Sequence, residues 1–199
     1  MQEALTLEAL RKNVKRRYDK DEERVVGIIL ARYSLGMTQR IIEECYTYWD
    51  RRTARYLDIY WAGYGAYLPP HMESPTRTIL KFDGNDDRVY FDLDAYIDFK
   101  DEFYNIFSSS YNDRMQLILV NYRNGKLHFD ESIQIDLEEN LDPNYGRIRD
   151  IMEFISMECR RESTVSALAS RLKMEEIKES IKGITLSDVI KLALKVASK

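Results

Sequence analysis

Residues 25–62, VVGIILARYSLGMTQRIIEECYTYWDRRTARYLDIYWA, predict a strand, a helix and a second strand in succession. Val25–Leu30 carries no polar side chain, as expected of a central strand that is covered on both faces. Apolar side chains then recur at spacings of three and four from Thr38 to Arg55, which is a helical period. Tyr56–Ala62 is rich in aromatic residues and favours a second strand. A unit of this kind predicts parallel strands joined by a right-handed crossover.

An antiparallel hairpin is predicted further along the chain. Met115–Tyr122 is another strongly apolar strand, and Lys126–Phe129 follows it closely. Between them, Asn124-Gly125 favours a type I′ turn, because this turn needs a positive φ at both central residues. We expect the sheet to continue through three alternating apolar residues, Ile133, Ile135 and Leu137.

The passage between these two units is less regular. Gly63–Thr76 is a long loop that holds three of the four prolines, and long ordered loops are enriched in functional surfaces. Arg77–Phe82 and Arg88–Leu93 predict two short strands. Either Asp92 or Asp94 can cap the helix that follows, by accepting a hydrogen bond from a free backbone N–H.

The fold class predicted from these elements is α/β. Its mixed sheet combines an N-terminal parallel βαβ unit with an antiparallel hairpin, and helical periodicity beyond Pro143 predicts a C-terminal helical bundle. The parallel-then-antiparallel order resembles that of thioredoxin-like proteins, a resemblance of element order that implies nothing about activity. We expect three parts: a helical lead-in at 1–22, whose helix lies on the surface, an α/β domain at 23–142 and a packed helical segment at 143–199.

Composition places the chain among globular proteins. Apolar residues make up 44% of it and charged residues 32%, which suits a domain of ordinary size with a real core. No apolar run is long enough to span a membrane, and the N-terminus lacks the apolar segment of a secretory signal. Cys45 and Cys159 are too few for a disulfide framework, so we expect buried free thiols in a cytoplasmic protein.

The net charge of −4 is unevenly distributed along the chain. Residues 81–142 carry 15 acidic and 6 basic side chains, a block poorly suited to a phosphate backbone. A basic cluster at 11–17 is followed at once by acidic residues at 19–23. Residues 164–184 have the spacing of a helix-turn-helix, but the second helix would begin with Glu175-Glu176, which repels phosphate. These features argue against a nucleic-acid partner.

The turn after Val25–Leu30 is the first candidate binding site. Ligands of open α/β sheets bind beyond the carboxyl ends of strands, and a helix N-terminus offers free N–H groups to an anion. Tyr33, Ser34 and Thr38 lie at this position. Neither phosphate-cradling motif, GxGxxG or GxxxxGK[ST], is present, and the absence of CxxC excludes thioredoxin-type dithiol chemistry.

The aromatic passage Tyr46–Pro70 is the second candidate. It holds both tryptophans and six tyrosines, whose rings supply core area while their hydroxyls can face a ligand or a partner. Arginines among aromatic residues are typical of protein hot spots and of surfaces that stack bases, and the acidic chain favours the protein. The candidate binding residues in and beside this passage are Arg51, Arg55, Tyr64, Tyr67 and His71.

No residue set in the sequence predicts a catalytic or metal centre. His71 lies in the Pro-rich loop, and His128 can point the same way as Asp130, but neither histidine has a metal-ligand spacing. Asp98 and Lys100 have part of a nuclease pattern, yet two residues apart within a helical period they point in different directions. We therefore expect neither a metal nor a cofactor.

The sequence favours a non-catalytic protein-interaction or sensor module with a protein partner or a homo-oligomeric state. Its surface would combine the loop Gly63–His71 with the acidic block at 81–142. The alternative is a small α/β enzyme that acts on a nucleotide or phosphoester at the Ser34–Thr38 turn, with His71 or Asp58 assisting. No association with a membrane is expected.

Overall fold

Among the residues that the structure describes, eight strands form two sheets in a computed structural model of the protein. The structure describes residues 2–34, 36–53, 56–80, 88–107, 114–138, 146–161 and 164–172. The strands are β1 (Gln2–Ala4), β2 (Arg24–Leu30), β3 (Ile59–Ala62), β4 (Tyr64–Gly65), β5 (Arg77–Ile79), β6 (Tyr90–Asp92), β7 (Gln116–Arg123) and β8 (Lys126–Asp136). A five-stranded sheet has the order β1-β3-β2-β7-β8, and a three-stranded sheet has the order β4-β6-β5.

Helices cover the larger sheet. They are α1 (Leu7–Arg17), α2 (Gly36–Thr53), α3 (Leu93–Phe107), α4 (Gly146–Cys159) and α5 (residues 165–172). Helix α1 connects β1 to β2, and α2 connects β2 back to β3, which lies between β1 and β2 in the sheet. The two connections therefore cross the sheet in opposite directions. Crossovers between parallel strands of one sheet are right-handed as a rule, so we infer that α1 and α2 lie on opposite faces. The helix α3 contacts α1, and α4 contacts α2, so the architecture has three layers.

The predicted βαβ unit is confirmed. Strands β2 and β3 pair in parallel, with Gly27 opposite Ile59 and Ile29 opposite Trp61. Every residue of β2 after Arg24 is buried, as the continuous apolar run predicted. On its other side β2 pairs antiparallel with β7, which makes the sheet mixed.

The N-terminal residues form a strand of the larger sheet and a helix with one buried face. We had expected a helical lead-in with its helix on the surface. Strand β1 is an edge strand that pairs in parallel with β3, and Ala4 at its end is buried. Leu7, Leu10 and Val14 of α1 are fully buried against the sheet. The charged residues between these three lie on the exposed face of α1. Three apolar residues at helical spacing are enough to anchor the other face on the sheet.

The predicted hairpin is also confirmed. Asn124 and Gly125 join β7 to β8 with φ values of 52° and 73°, as a type I′ turn requires. Strand β8 continues to Asp136, so the predicted extension of the sheet is correct. The pairing of β7 with β8 shifts register between Val120 and Asn121 of β7, where a bulge interrupts the ladder.

The segment predicted as one loop, Gly63–Thr76, contains structure of its own. Strand β4 forms directly after a turn at Gly63, whose φ is +79°, and a short 3₁₀ turn follows at Pro70–Met72. Both predicted strands after it form, in shorter versions, and pair antiparallel. Asp92 caps α3 by accepting a hydrogen bond from the backbone N–H of Ala95 at 3.2 Å.

The C-terminal segment is helical as far as it is described. Helices α4 and α5 both lie in the segment beyond Pro143, where helical periodicity predicted a bundle. The buried side chain of Asn121 on β7 accepts a hydrogen bond from the N–H of Val165 at 2.7 Å, which ties the start of α5 to the sheet. The part of the predicted bundle from residue 173 onward lies outside the described residues.

Candidate functional site

The turn between β2 and α2 holds two of the predicted binding residues, Tyr33 and Ser34. The Tyr33 hydroxyl donates a hydrogen bond to Glu43 Oε1 at 2.7 Å, and Ser34 Oγ accepts one from Arg32 Nε at 3.0 Å. Burial, and then the bond to Glu43, raise the pKa of Tyr33. Hydrogen bonds from Gln39 and Tyr33 lower the pKa of Glu43. The tyrosine is therefore a neutral donor that is already engaged within the chain.

Thr38, in the first turn of α2, is only 1% exposed. Its hydroxyl donates a hydrogen bond to Glu138 Oε1 at 2.7 Å, just beyond the end of β8. The backbone N–H of Glu138 in turn donates to Asp136 Oδ1 at 3.0 Å. A carboxylate is stabilised at a helix N-terminus by the helix dipole. The chain's own acid therefore occupies the place where we expected an external anion, and it would repel a phosphate.

Tyr64 is a core residue. It is fully buried, and its hydroxyl donates a hydrogen bond to the carbonyl oxygen of Ala31 at 2.8 Å. Its ring lies 5.5 Å from Trp61 and 5.0 Å from Phe91, centroid to centroid. These contacts fix the small sheet against the carboxyl end of β2. Most of the rings in this part of the aromatic passage build the core and not a binding surface.

The segment from Ala66 to Thr76, which we call the 66–76 loop, presents the exposed part of the aromatic passage. Tyr67 is 59% exposed and Met72 is 42% exposed, both large values for apolar side chains. His71, between two exposed neighbours, is exposed as well. The structure thus places two predicted binding residues, Tyr67 and His71, on one solvent-facing segment.

Hydrogen bonds and an ion pair with residues beside it hold the 66–76 loop in place. Leu68 is buried and its N–H donates to the carbonyl of Arg88 at 3.0 Å. Arg77 Nη1 donates to the carbonyl of Met72 at 2.8 Å. Arg88 also forms an ion pair with Glu73. The exposed side chains therefore stand on a backbone that is fixed at several points.

Two predicted residues cannot be placed. Arg51 belongs to α2 but its side chain lies outside the described structure, and Arg55 lies outside the described residues altogether. The predicted cluster of arginines and aromatic rings on α2 therefore stays a prediction. The same holds for Cys45, whose side chain falls in the same part of the helix.

The remaining histidine, carboxylate, lysine and cysteine residues that the sequence analysis weighed are dispersed. His128 Nδ1 lies 3.9 Å from Asp130 Oδ1, so the two side chains do point the same way. Asp98 is exposed on α3, while Lys100 pairs with Asp101 at 3.1 Å. Burial raises the pKa of the free thiol of Cys159 to about 12, which keeps it protonated and weakly nucleophilic. Across the described ranges, no group of three or more His, Cys, Asp or Glu could hold a metal ion.

A buried charge cluster lies at the opposite end of the parallel strands. Asp58, directly before β3, is 5% exposed. Its Oδ2 accepts hydrogen bonds from Arg17 Nε at 2.6 Å and from the Tyr18 hydroxyl. Burial and the charge of Asp58 raise the pKa of Tyr60 to about 12. The sequence carried a signal for this cluster, because Asp58 is the one carboxylate within the apolar run from residue 57 to 62.

Asp58 lies away from the β2–α2 turn, where the enzyme hypothesis offered either His71 or Asp58 as the assisting residue. Its carbonyl accepts a hydrogen bond from the N–H of Gly27 at 2.9 Å, which places it level with the middle of β2. The turn begins four residues later, roughly 13 Å along an extended strand. A side chain held by Arg17 and Tyr18 cannot cover that distance.

None of the described helices is long and apolar enough to cross a membrane. The chain matches no known family model, no curated protein and no solved structure.

Proposed function

We propose that the protein is a non-catalytic interaction or regulatory module that docks a protein partner, or a second copy of itself, on the 66–76 loop. The observation that carries this proposal is the exposure of Tyr67 and Met72 on a backbone that hydrogen bonds hold in place. Tyrosine and methionine are enriched at the centre of protein interfaces. A fixed loop also loses little conformational entropy on binding, so more of the contact energy appears as affinity.

The enzyme alternative is less well supported by the same geometry. A nucleotide or phosphoester at the Ser34–Thr38 turn would need free donors and an unoccupied helix N-terminus. Here the hydroxyl of Thr38 is committed to Glu138, and the side chain of Ser34 is bonded to Arg32. A phosphate would have to displace a carboxylate of the chain.

Three further features belong to this proposal. We propose a thioredoxin-like element order for the larger sheet, supported by its parallel strands β1, β3 and β2 followed by the antiparallel pair β7 and β8. We also propose that the C-terminal helices form a bundle on α2, which α4 contacts.

A cytoplasmic setting fits the free thiol of Cys159, and the net charge of −4 favours a protein partner over a nucleic acid.

Site-directed photocrosslinking tests the docking loop directly. A photoreactive phenylalanine analogue would replace Tyr67 in one variant and Glu44, an exposed residue of α2, in a matched control. We expect irradiation in the source cell to give a discrete covalent adduct from position 67 and none from position 44. Equal labelling at both positions, or no adduct at position 67, would contradict a specific docking role for the loop.

A further inference from the structure

A basic groove of about 240 Å³ lies between α1 and the hairpin of β7 and β8. Its cationic residues are Arg11 and Lys15 of α1 and Lys126 at the start of β8. All three are exposed, so a ligand from solution can reach their charged ends. The groove shares no lining residue with the 66–76 loop, so it is a separate surface from the proposed docking loop.

The positive charge of the groove is largely uncompensated by the chain itself. Among the described residues, no acid lines the groove. Arg11 Nη1 has only a long contact of 3.8 Å with Glu102 Oε1, while Lys15 and Lys126 form no ion pair with a described residue. The groove therefore presents a net positive charge to solvent, which attracts an anionic ligand.

A fourth cation stands beside the same opening. The side chain of Lys20 runs along the hairpin turn, because its Cγ lies 3.2 Å from the place that a Cβ on Gly125 would occupy. The acids Asp19 and Glu22 belong to the same stretch of chain, but Glu22 is already paired with Arg24 at 2.8 Å. The cations around the opening thus outnumber the acids that remain to compensate them.

The same groove has an apolar floor. Leu127 and Phe129 of β8 are partly buried, and the Phe129 ring packs edge-on against the ring of Phe103 on α3 at 5.6 Å, centroid to centroid. The guanidinium carbon of Arg11 lies 5.8 Å from the centroid of the Phe129 ring. These contacts hold the floor in place while part of its surface stays open to a ligand.

The charge and the floor together restrict the chemistry of the ligand. An inorganic anion would meet the cations but leave the apolar floor wet, and a neutral ring would cover the floor but leave the cations uncompensated. A ring that carries an anionic group satisfies both, because cations are attracted to aromatic faces as well as to the anion. Pockets for larger ligands measure about 300–1,000 Å³, so a groove of about 240 Å³ suits a single ring.

We propose that this groove binds a small aromatic anion, a single ring that carries one carboxylate or phosphate group. The anionic group lies among Arg11, Lys15 and Lys126, and the ring lies on Leu127 and Phe129. Each of these residues is at least partly exposed, so no buried atom has to be uncovered before the ligand can bind.

The first experiment uses the unaltered chain and varies the ligand. Phenylacetate and phenyl phosphate would be titrated against the isotope-labelled protein, with acetate, inorganic phosphate and benzyl alcohol as controls. We expect at least one of the two aromatic anions to give saturable shifts of the amide resonances of Gly125 and Leu127, and the tighter of the two identifies the anionic group. Removal of either the ring or the charge should weaken binding about tenfold, since each contributes separately.

The second experiment varies the groove. The Lys15→Gln/Lys126→Gln double variant should weaken binding of the tighter aromatic anion about fivefold, because exposed charge pairs are individually modest. Lys12→Gln/Arg16→Gln removes two exposed cations of α1 that do not line this groove, so it has the same net charge and should leave binding unchanged.

Three results would overturn the proposal. One is that neither aromatic anion shifts these resonances. Another is that acetate, inorganic phosphate or benzyl alcohol binds as tightly as the aromatic anion, since the ring or the charge would then be irrelevant. The third is an equal loss of binding in both double variants, which would assign the effect to net charge and not to the groove.

Discussion

The hydroxyl of Tyr18 donates a hydrogen bond to the carboxylate of Asp58, which lies 40 residues further along the chain. Arg17 Nε approaches the same oxygen at 2.6 Å. These two contacts join the end of α1 to the start of β3 and compensate a carboxylate that is almost fully buried. The N-terminal helix is therefore held by a specific polar contact as well as by its apolar face.

Replacement of Arg17 by Gln should destabilise the protein, because it leaves the buried Asp58 without its positive partner. A fully buried unpaired carboxylate costs about 3–5 kcal/mol, and we expect about 1–3 kcal/mol here because Arg17 itself is half exposed to water. Urea denaturation measures the change. Lys12→Gln, at an exposed position on the same helix, should stay within about 0.5 kcal/mol of the unaltered protein. Equal losses for both variants would contradict the buried-pair interpretation.

Stability should fall at alkaline pH because of two buried tyrosines. Burial raises the pKa of Tyr60 to about 12 and also raises that of Tyr18, so both stay neutral in the folded protein when they would ionise in the unfolded chain. The contribution of both is complete below about pH 10, the pKa of an unfolded tyrosine. That of Tyr60 is lost as the pH rises toward about 12, and that of Tyr18 is lost over a range that extends to higher pH.

The denaturation midpoint as a function of pH, together with tyrosinate absorbance, tests this alkaline loss. We expect Tyr60→Phe to show a shallower decline than the unaltered protein over the same range. A decline that is identical in the two proteins would assign the alkaline loss to other groups.

The turn between β3 and β4 should depend strongly on Gly63. Its φ of +79° disfavours any other residue, and an added Cβ would lie 2.6 Å from Tyr96 Cβ and 2.9 Å from Tyr96 Cα. We expect Gly63→Ala to cost at least about 1–3 kcal/mol from backbone strain alone, with the clash in addition.

Gly36→Ala is the matched control for that substitution. An added Cβ at Gly36 meets no atom within 4 Å, and the residue begins α2, where alanine is a better helix former. Thermal unfolding should show little change or a small gain for this variant. A similar loss for both glycine substitutions would contradict the close packing of Gly63 against Tyr96 of α3.

The link between α5 and the sheet should depend on Asn121. Its side chain is fully buried, donates to Glu131 Oε2 at 2.6 Å and accepts from the N–H of Val165. Asn121→Ala leaves that N–H unpaired, so we expect a loss of about 1–3 kcal/mol and faster amide exchange across residues 165–172. Asn105→Ala, at an exposed position of α3, should change neither quantity. Unchanged exchange in Asn121→Ala would contradict this role.

Periodicity was sufficient to predict the elements that bury a continuous apolar surface. The run Val25–Leu30, the helical spacing after it and the Asn124-Gly125 turn each have one compatible conformation, and each forms as expected. Strand β1 was missed because Gln2–Ala4 is too short to show alternation and is defined by its pairing with β3. Pairing between distant segments leaves no local pattern in a sequence.

The candidate sites were harder to predict for a related reason. Tyr64 and Tyr67 are alike in sequence, and only the packing of Phe91 and Trp61 decides that the first is buried and the second exposed. Likewise, nothing local to Thr38 indicates that Glu138 fills the space beside it. Residue type limits what a side chain can do, whereas long-range contacts decide whether it is free to do it.

Native mass spectrometry of the gently purified protein tests the central claim, docking through the 66–76 loop, most directly. We predict that the unaltered chain retains a protein partner or forms a homo-oligomer, and that the Tyr67→Ser/Met72→Ser double variant loses it. Met37→Ser/Ile106→Ser, which alters two comparably exposed apolar residues elsewhere, should retain it. A strictly monomeric chain without a protein partner, or an assembly that survives the loop substitutions unchanged, would contradict the account.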